Sequence, residues 1–141
     1  MKIEKIFGDI VDFDRKLLEV EGVSLDTALP GDMLCLIAAV RLKRNAAPKP
    51  PRRDMERPWF LQFGGTWKPT PPRVNGPKGR DLVQVCGAYL RADGLDDAIL
   101  NALEQPGSFF VTDLTGTALQ LYAPERRLAV SIRYVRRNPD R

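Results

Sequence analysis

Eleven basic residues fall in the forty positions from Arg41 to Arg80: Arg41, Lys43, Arg44, Lys49, Arg52, Arg53, Arg57, Lys68, Arg73, Lys78 and Arg80. Only Asp54 and Glu56 oppose them, so this stretch carries a net charge of +9, against −4 for residues 1–40 and −1 for residues 81–141. It also holds eight of the twelve prolines and both tryptophans, Trp59 and Trp67, so the charge sits on stiff, loop-forming chain. Guanidinium and ammonium groups pair with phosphates and carboxylates, and arginine does so through a bidentate fork. Indole rings stack on bases or anchor protein interfaces. Proline lowers the conformational entropy that a loop loses on binding. Charge concentrated in this way implies an acidic partner. The candidate partner-binding residues are Arg52, Arg53, Arg57, Trp59, Trp67, Arg73, Lys78 and Arg80.

No other set of residues carries a reaction. The chain has no histidine, which removes Ser-His-Asp and Cys-His triads, HExxH zinc sites and zinc fingers. Ser24, Ser108, Ser131, Cys35 and Cys86 lie in no nucleophile-elbow sequence and have no imidazole to activate them. Lys68 and Lys78 sit among other cations in polar chain, unlike the buried lysines that form Schiff bases. Asn75 to Arg80, NGPKGR, contains glycine and lysine but lacks the GxxxxGK[ST] spacing that leads a phosphate loop into a helix. Asp9 and Asp12 could hold Mg²⁺ if they shared a helical face. Helix capping explains them better, and Asp93, Asp96 and Asp97 repeat the pattern before a second apolar stripe. The expectation is a protein with no catalytic residues, no cofactor and no metal site, and not an enzyme.

The elements that must position the basic stretch follow from periodicity. Ile10, Phe13, Leu17 and Val20 recur at steps of three and four, which predicts a helix over 9–21 closed by Gly22. Met33 to Leu42, MLCLIAAVRL, is a continuous apolar run that fits a buried strand or a buried helix, and the Pro30-Gly31-Asp32 turn before it and its short length favour the strand. Long basic, proline-rich loops follow at about 44–58 and 64–80, separated by an aromatic strand, Trp59 to Phe63. Asp81 to Leu90 reads as a strand. Leu95, Ala98, Ile99, Ala102 and Leu103 mark an amphipathic helix that stops at Pro106-Gly107. Strands are expected at Ser108 to Asp113, Thr117 to Tyr122 and Arg127 to Arg137. In the last, Leu128, Val130, Ile132 and Tyr134 alternate with Ala129, Ser131 and Arg133. The order α-β-β-β-α-β-β-β predicts a single α+β domain over residues 1–141, mainly antiparallel sheet of about six strands with two helices packed on it.

At 141 residues, with 43% apolar and 28% charged residues, the chain is long enough for one buried core. No run approaches the roughly 18 apolar residues of a membrane span, and the N-terminal residues do not form the uninterrupted apolar segment of a secretory signal. The two cysteines lie in apolar runs and read as buried small hydrophobes; a disulfide between them is the alternative, with nothing in the sequence pointing to an oxidising compartment. A cytoplasmic location is expected.

The closing stretch, SFFVTDLTGTALQLYAPERRLAVSIRYVRR, resembles the C-terminal sheets of bacterial toxin-immunity proteins over about a third of the chain. That resemblance implies a one-to-one complex with a toxin and no cofactor, and carries no residue roles. The leading reading is a binding or inhibitor protein that docks its basic loops on an acidic protein, a toxin or an enzyme. The alternatives are an RNA- or DNA-binding domain using the same loops, and a binder of a small anion such as a nucleotide.

Overall fold

A computed structural model describes residues 3–8, 10–23, 33–51, 63–72, 78–113 and 117–136. The element order is α1 (Ile3–Ile6), β1 (Phe13–Val23), β2 (Met33–Leu42), β3 (Lys68–Pro69), α2 (Lys78–Val85), α3 (Gly87–Leu90), α4 (Leu95–Glu104), β4 (Phe109–Thr112), β5 (Ala118–Ala123) and β6 (Leu128–Arg136). The six strands form one antiparallel sheet in the order β1-β2-β6-β5-β4-β3. This is the expected α+β class.

Both faces of the sheet are buried, which explains why β2 and β5, apart from Arg41 and Gln120, are apolar rather than alternating. Ile37 and Ala39, their β6 partners Ile132 and Val130, and the β5 partners Leu119 and Leu121 all point to one face. Leu82, Val83, Cys86 and Leu90 from α2–α3, with Leu95, Ile99, Ala102 and Leu103 from α4, cover that face. On the opposite face Ala38, Val40, Leu42, Ala129 and Tyr122 meet Ile3, Ile6, Phe7, Val11 and Phe63. Phe7, Phe63, Trp67 and Tyr122 form a ring cluster there, with Phe63 4.8 Å from Phe7 and 5.2 Å from Trp67 between ring centroids. Burying each such side chain stabilises the fold by about 1.5–3 kcal/mol.

Two sequence expectations fail, and one left open is decided. Residues 13–23 are a strand, not a helix. The register shifts between Phe13 and Arg15 and again between Lys16 and Leu18. Each bulge inserts an unpaired residue, so the apolar spacing of β1 loses its period of two and imitates a helical stripe. Residues 78–90 are helical, not a strand. Leu82, Cys86, Tyr89 and Leu90 stand at i, i+4, i+7 and i+8 and face the sheet, a helical period that the short apolar run had masked. The cysteines are joined: Cys35 and Cys86 form a disulfide, both sulfurs buried, between β2 and the α2–α3 junction. Their separation of 51 residues and apolar surroundings gave no local sign of pairing.

The second predicted loop also contains more structure than expected: β3 lies inside it and α2 begins at Lys78. Near the N-terminus the single turn α1 is held by its Ile3 N–H, which donates to Glu19 Oε1 at 2.6 Å. The predicted strand at Trp59 to Phe63 lies outside the described residues except for Phe63, which is fully buried and donates its N–H to the Ile6 carbonyl at 2.8 Å.

Candidate cationic interface

β2 ends at Leu42, and the chain turns out of the sheet into the basic segment. Leu42 is held from both sides by Arg127. The Leu42 N–H donates to the Arg127 carbonyl at 2.9 Å, and Arg127 Nε donates to the Leu42 carbonyl at 3.0 Å. Arg127 adopts φ 54° to do so and makes an ion pair with Asp14 at 2.5 Å. The Lys43 N–H donates to the Asp12 carbonyl at 3.3 Å, and the Ala46 N–H closes a turn on the Lys43 carbonyl at 3.0 Å. Two core aromatics then catch the backbone. Tyr122 Oη donates to the Ala47 carbonyl at 2.6 Å, and Trp67 Nε1 donates to the Pro51 carbonyl at 3.0 Å.

Residues 43–51 are therefore a strap, tied to the rest of the fold at Lys43, Ala47 and Pro51 and closed by one internal turn, with Pro48, Pro50 and Pro51 removing donors and fixing φ. Ala46, Ala47, Pro50 and Pro51 line the space that Tyr122 also lines, and Lys49 stands at its rim. Lys43, Arg44 and Lys49 are exposed, and none makes an ion pair with a described residue. Between strap and sheet lies a cleft of about 360 Å³ lined by Ile10, Val11, Asp12, Leu42 and Tyr122 and by strap residues Asn45, Ala46, Ala47, Lys49, Pro50 and Pro51. Burial pushes the Tyr122 phenol above its ordinary value, so the hydroxyl stays a donor through the neutral range.

Of the eight residues singled out from the sequence, Trp67 is displaced in role. Its half-buried ring packs on Phe63 and Tyr122 and its indole N–H holds the strap, so it supports the surface that carries the cations. The amphipathic character of tryptophan, apolar body and one donor, suits both uses, and charge pattern alone could not choose between them. Lys78 and Arg80 fall at the start of α2, with side chains outside the described residues. Arg52, Arg53, Arg57, Trp59 and Arg73 also lie outside the described residues. Lys68 is exposed on β3 at the far edge of the sheet, four strands from β2. Lys43, Arg44 and Lys49 belong to the +9 stretch but were not singled out; the anchoring of their backbone has no local sequence signal, because both anchors come from distant residues.

The other polar groups serve the scaffold. Gln120, 2% exposed, accepts the Gly64 N–H at 2.5 Å. Thr70 Oγ1 donates to the Gln105 carbonyl at 2.5 Å, and the Thr70 N–H donates to the Ser108 carbonyl, fixing β3 against β4. Asp113 accepts from Thr117 Oγ1 and from the N–H groups of Thr117 and Ala118 across the β4–β5 turn. Ser131, weighed as a nucleophile, is buried mid-strand opposite Gln120. Asp12, weighed as a Mg²⁺ ligand, is exposed ahead of β1 and lines the cleft. Among the described residues no group of three or more His, Cys, Asp or Glu side chains is placed to hold a metal, and no helix is long and apolar enough to cross a membrane. Comparison of the chain with protein-family models, with curated proteins and with solved structures found no match in any of the three.

Proposed function

We propose that the protein is a non-enzymatic binding protein that docks the cationic strap 43–51, together with the basic residues that follow it, on an acidic protein. The narrower form of this reading is an inhibitor of the immunity-protein kind that the C-terminal strands resemble, with a toxin or enzyme as partner. One observation carries it: the strap backbone is tied to buried aromatics at Ala47 and Pro51 while Lys43, Arg44 and Lys49 face solvent. A strap already ordered loses little conformational entropy on binding, and uncompensated cations steer an acidic partner to it. The Cys35–Cys86 disulfide favours an oxidising compartment over the cytoplasm expected from composition.

The test is capture of the partner from the native host on immobilised protein, with and without nuclease. An acidic protein retained after nuclease treatment supports the proposal. Loss of all binding on nuclease treatment, with affinity falling by roughly 0.9 log units per log unit of salt for each phosphate contacted, favours the nucleic-acid reading instead.

A further inference from the structure

We infer that Arg15 and Arg41 form a binding site for a small oxyanion of the phosphate type, separate from the strap. The register of β1 and β2 makes Arg15 and Arg41 directly opposed partners. Opposed residues of an antiparallel pair project from the same face with Cβ atoms about 5 Å apart. That face is the helix-covered one: Arg41 continues the row of Ile37 and Ala39, and its β6 partner Leu128 belongs to the same core. The strap anchors Tyr122 and Trp67 lie on the opposite face, so this site neither requires nor uses the strap.

Two guanidinium groups in this arrangement repel, and like charges directly opposed weaken a strand pair. Neither makes an ion pair with a described residue. Asp14, the acid next to Arg15 in the chain, is committed to Arg127. Arg41 Nε is buried and has no hydrogen-bond partner among the described residues. A buried donor without an acceptor is costly, and proteins retain one where something else supplies the acceptor. An oxyanion between the two side chains supplies it. Arg41 Nε and Nη form the fork that fits two oxygens of one phosphate, and the exposed Arg15 closes over a third. Arg15 lies on the edge strand and is exposed.

The experiment is a titration of the ¹⁵N-labelled protein with inorganic phosphate, and separately with a phosphomonoester, at ionic strength held constant with chloride. The Arg41 Nε–H resonance should shift saturably with a Kd on the order of 1 mM, and the melting temperature should rise with it. Equal affinity for both ligands assigns free phosphate chemistry to the site, and tighter binding of the ester assigns a phosphorylated metabolite. Arg15→Gln should weaken binding by about tenfold while raising the melting temperature in phosphate-free chloride, because the opposed charge is gone. Arg41→Lys keeps the charge, loses the fork and should bind phosphate no better than chloride. An Arg41 Nε–H signal indifferent to phosphate overturns the assignment. So does an Arg41→Lys protein that is stabilised by phosphate as strongly as the unaltered chain.

Discussion

Tyr122 Oη donates a 2.6 Å hydrogen bond to the carbonyl of Ala47, 75 residues earlier in the chain. Through it a strand in the middle of the sheet fixes the backbone of the basic strap, and the fold thereby reaches the surface proposed to bind.

Replacing Tyr122 by Phe keeps the ring in its cluster and removes only that bond. The loss should be about 0.5–1.5 kcal/mol in urea denaturation, with faster amide exchange at Ala46 and Ala47 and weaker partner binding. Burial of the same phenol sets a pH dependence. Because burial raises the folded-state phenol above its ordinary 10.0, the stabilisation is complete below that value and is lost as pH rises through the folded-state one. Unfolding free energy measured from pH 9 to pH 11, on the order of the phenol range, should fall at the alkaline end in the unaltered protein and fall less in Tyr122→Phe.

The Cys35–Cys86 bond closes a loop of 51 residues between sheet and helices. Chain-entropy estimates for a loop of that size give about 4 kcal/mol. The Cys35→Ser, Cys86→Ser double variant should lose stability of that order in equilibrium denaturation. Because both cysteines are buried, reductant added to the folded protein should act only as fast as the protein opens.

Gly22 pairs with Cys35 and lies beneath Tyr89, whose hydroxyl donates to the Val23 carbonyl at 2.6 Å. A Cβ at Gly22 would stand 2.5 Å from Tyr89 Oη. Gly22→Ala should therefore destabilise by about 1–3 kcal/mol through overpacking. In a Tyr89→Ala background the same substitution should cost far less, and a double-mutant cycle of melting curves measures the difference.

What the sequence made legible divides along physical lines. α4 and the three C-terminal strands were readable because local period and tertiary burial agree there, as in the alternation of Leu128, Val130 and Ile132 with Ala129 and Ser131, whereas β2, apolar without a period, was readable from the turn before it and its short length. β1 was not, because its two bulges replace the period of two with spacings that belong to a helix. The α2–α3 segment was not, because a ten-residue apolar run satisfies either period. For the cationic surface, charge counting located the segment, yet the features that order it come from Tyr122 and Trp67, and no local pattern announces a side chain that will bond a carbonyl across the fold. The opposed pair Arg15 and Arg41 required the register, which a bulged strand conceals.

The most direct measurement is the affinity of the captured acidic protein for the unaltered chain and for the Lys43→Glu, Arg44→Glu, Lys49→Glu variant, by calorimetry beside a melting curve of each. All three side chains are exposed, so the variant should keep its stability to within about 0.5 kcal/mol while binding is abolished. Undiminished binding by an equally stable variant would contradict the account, since the strap would then contribute no recognition.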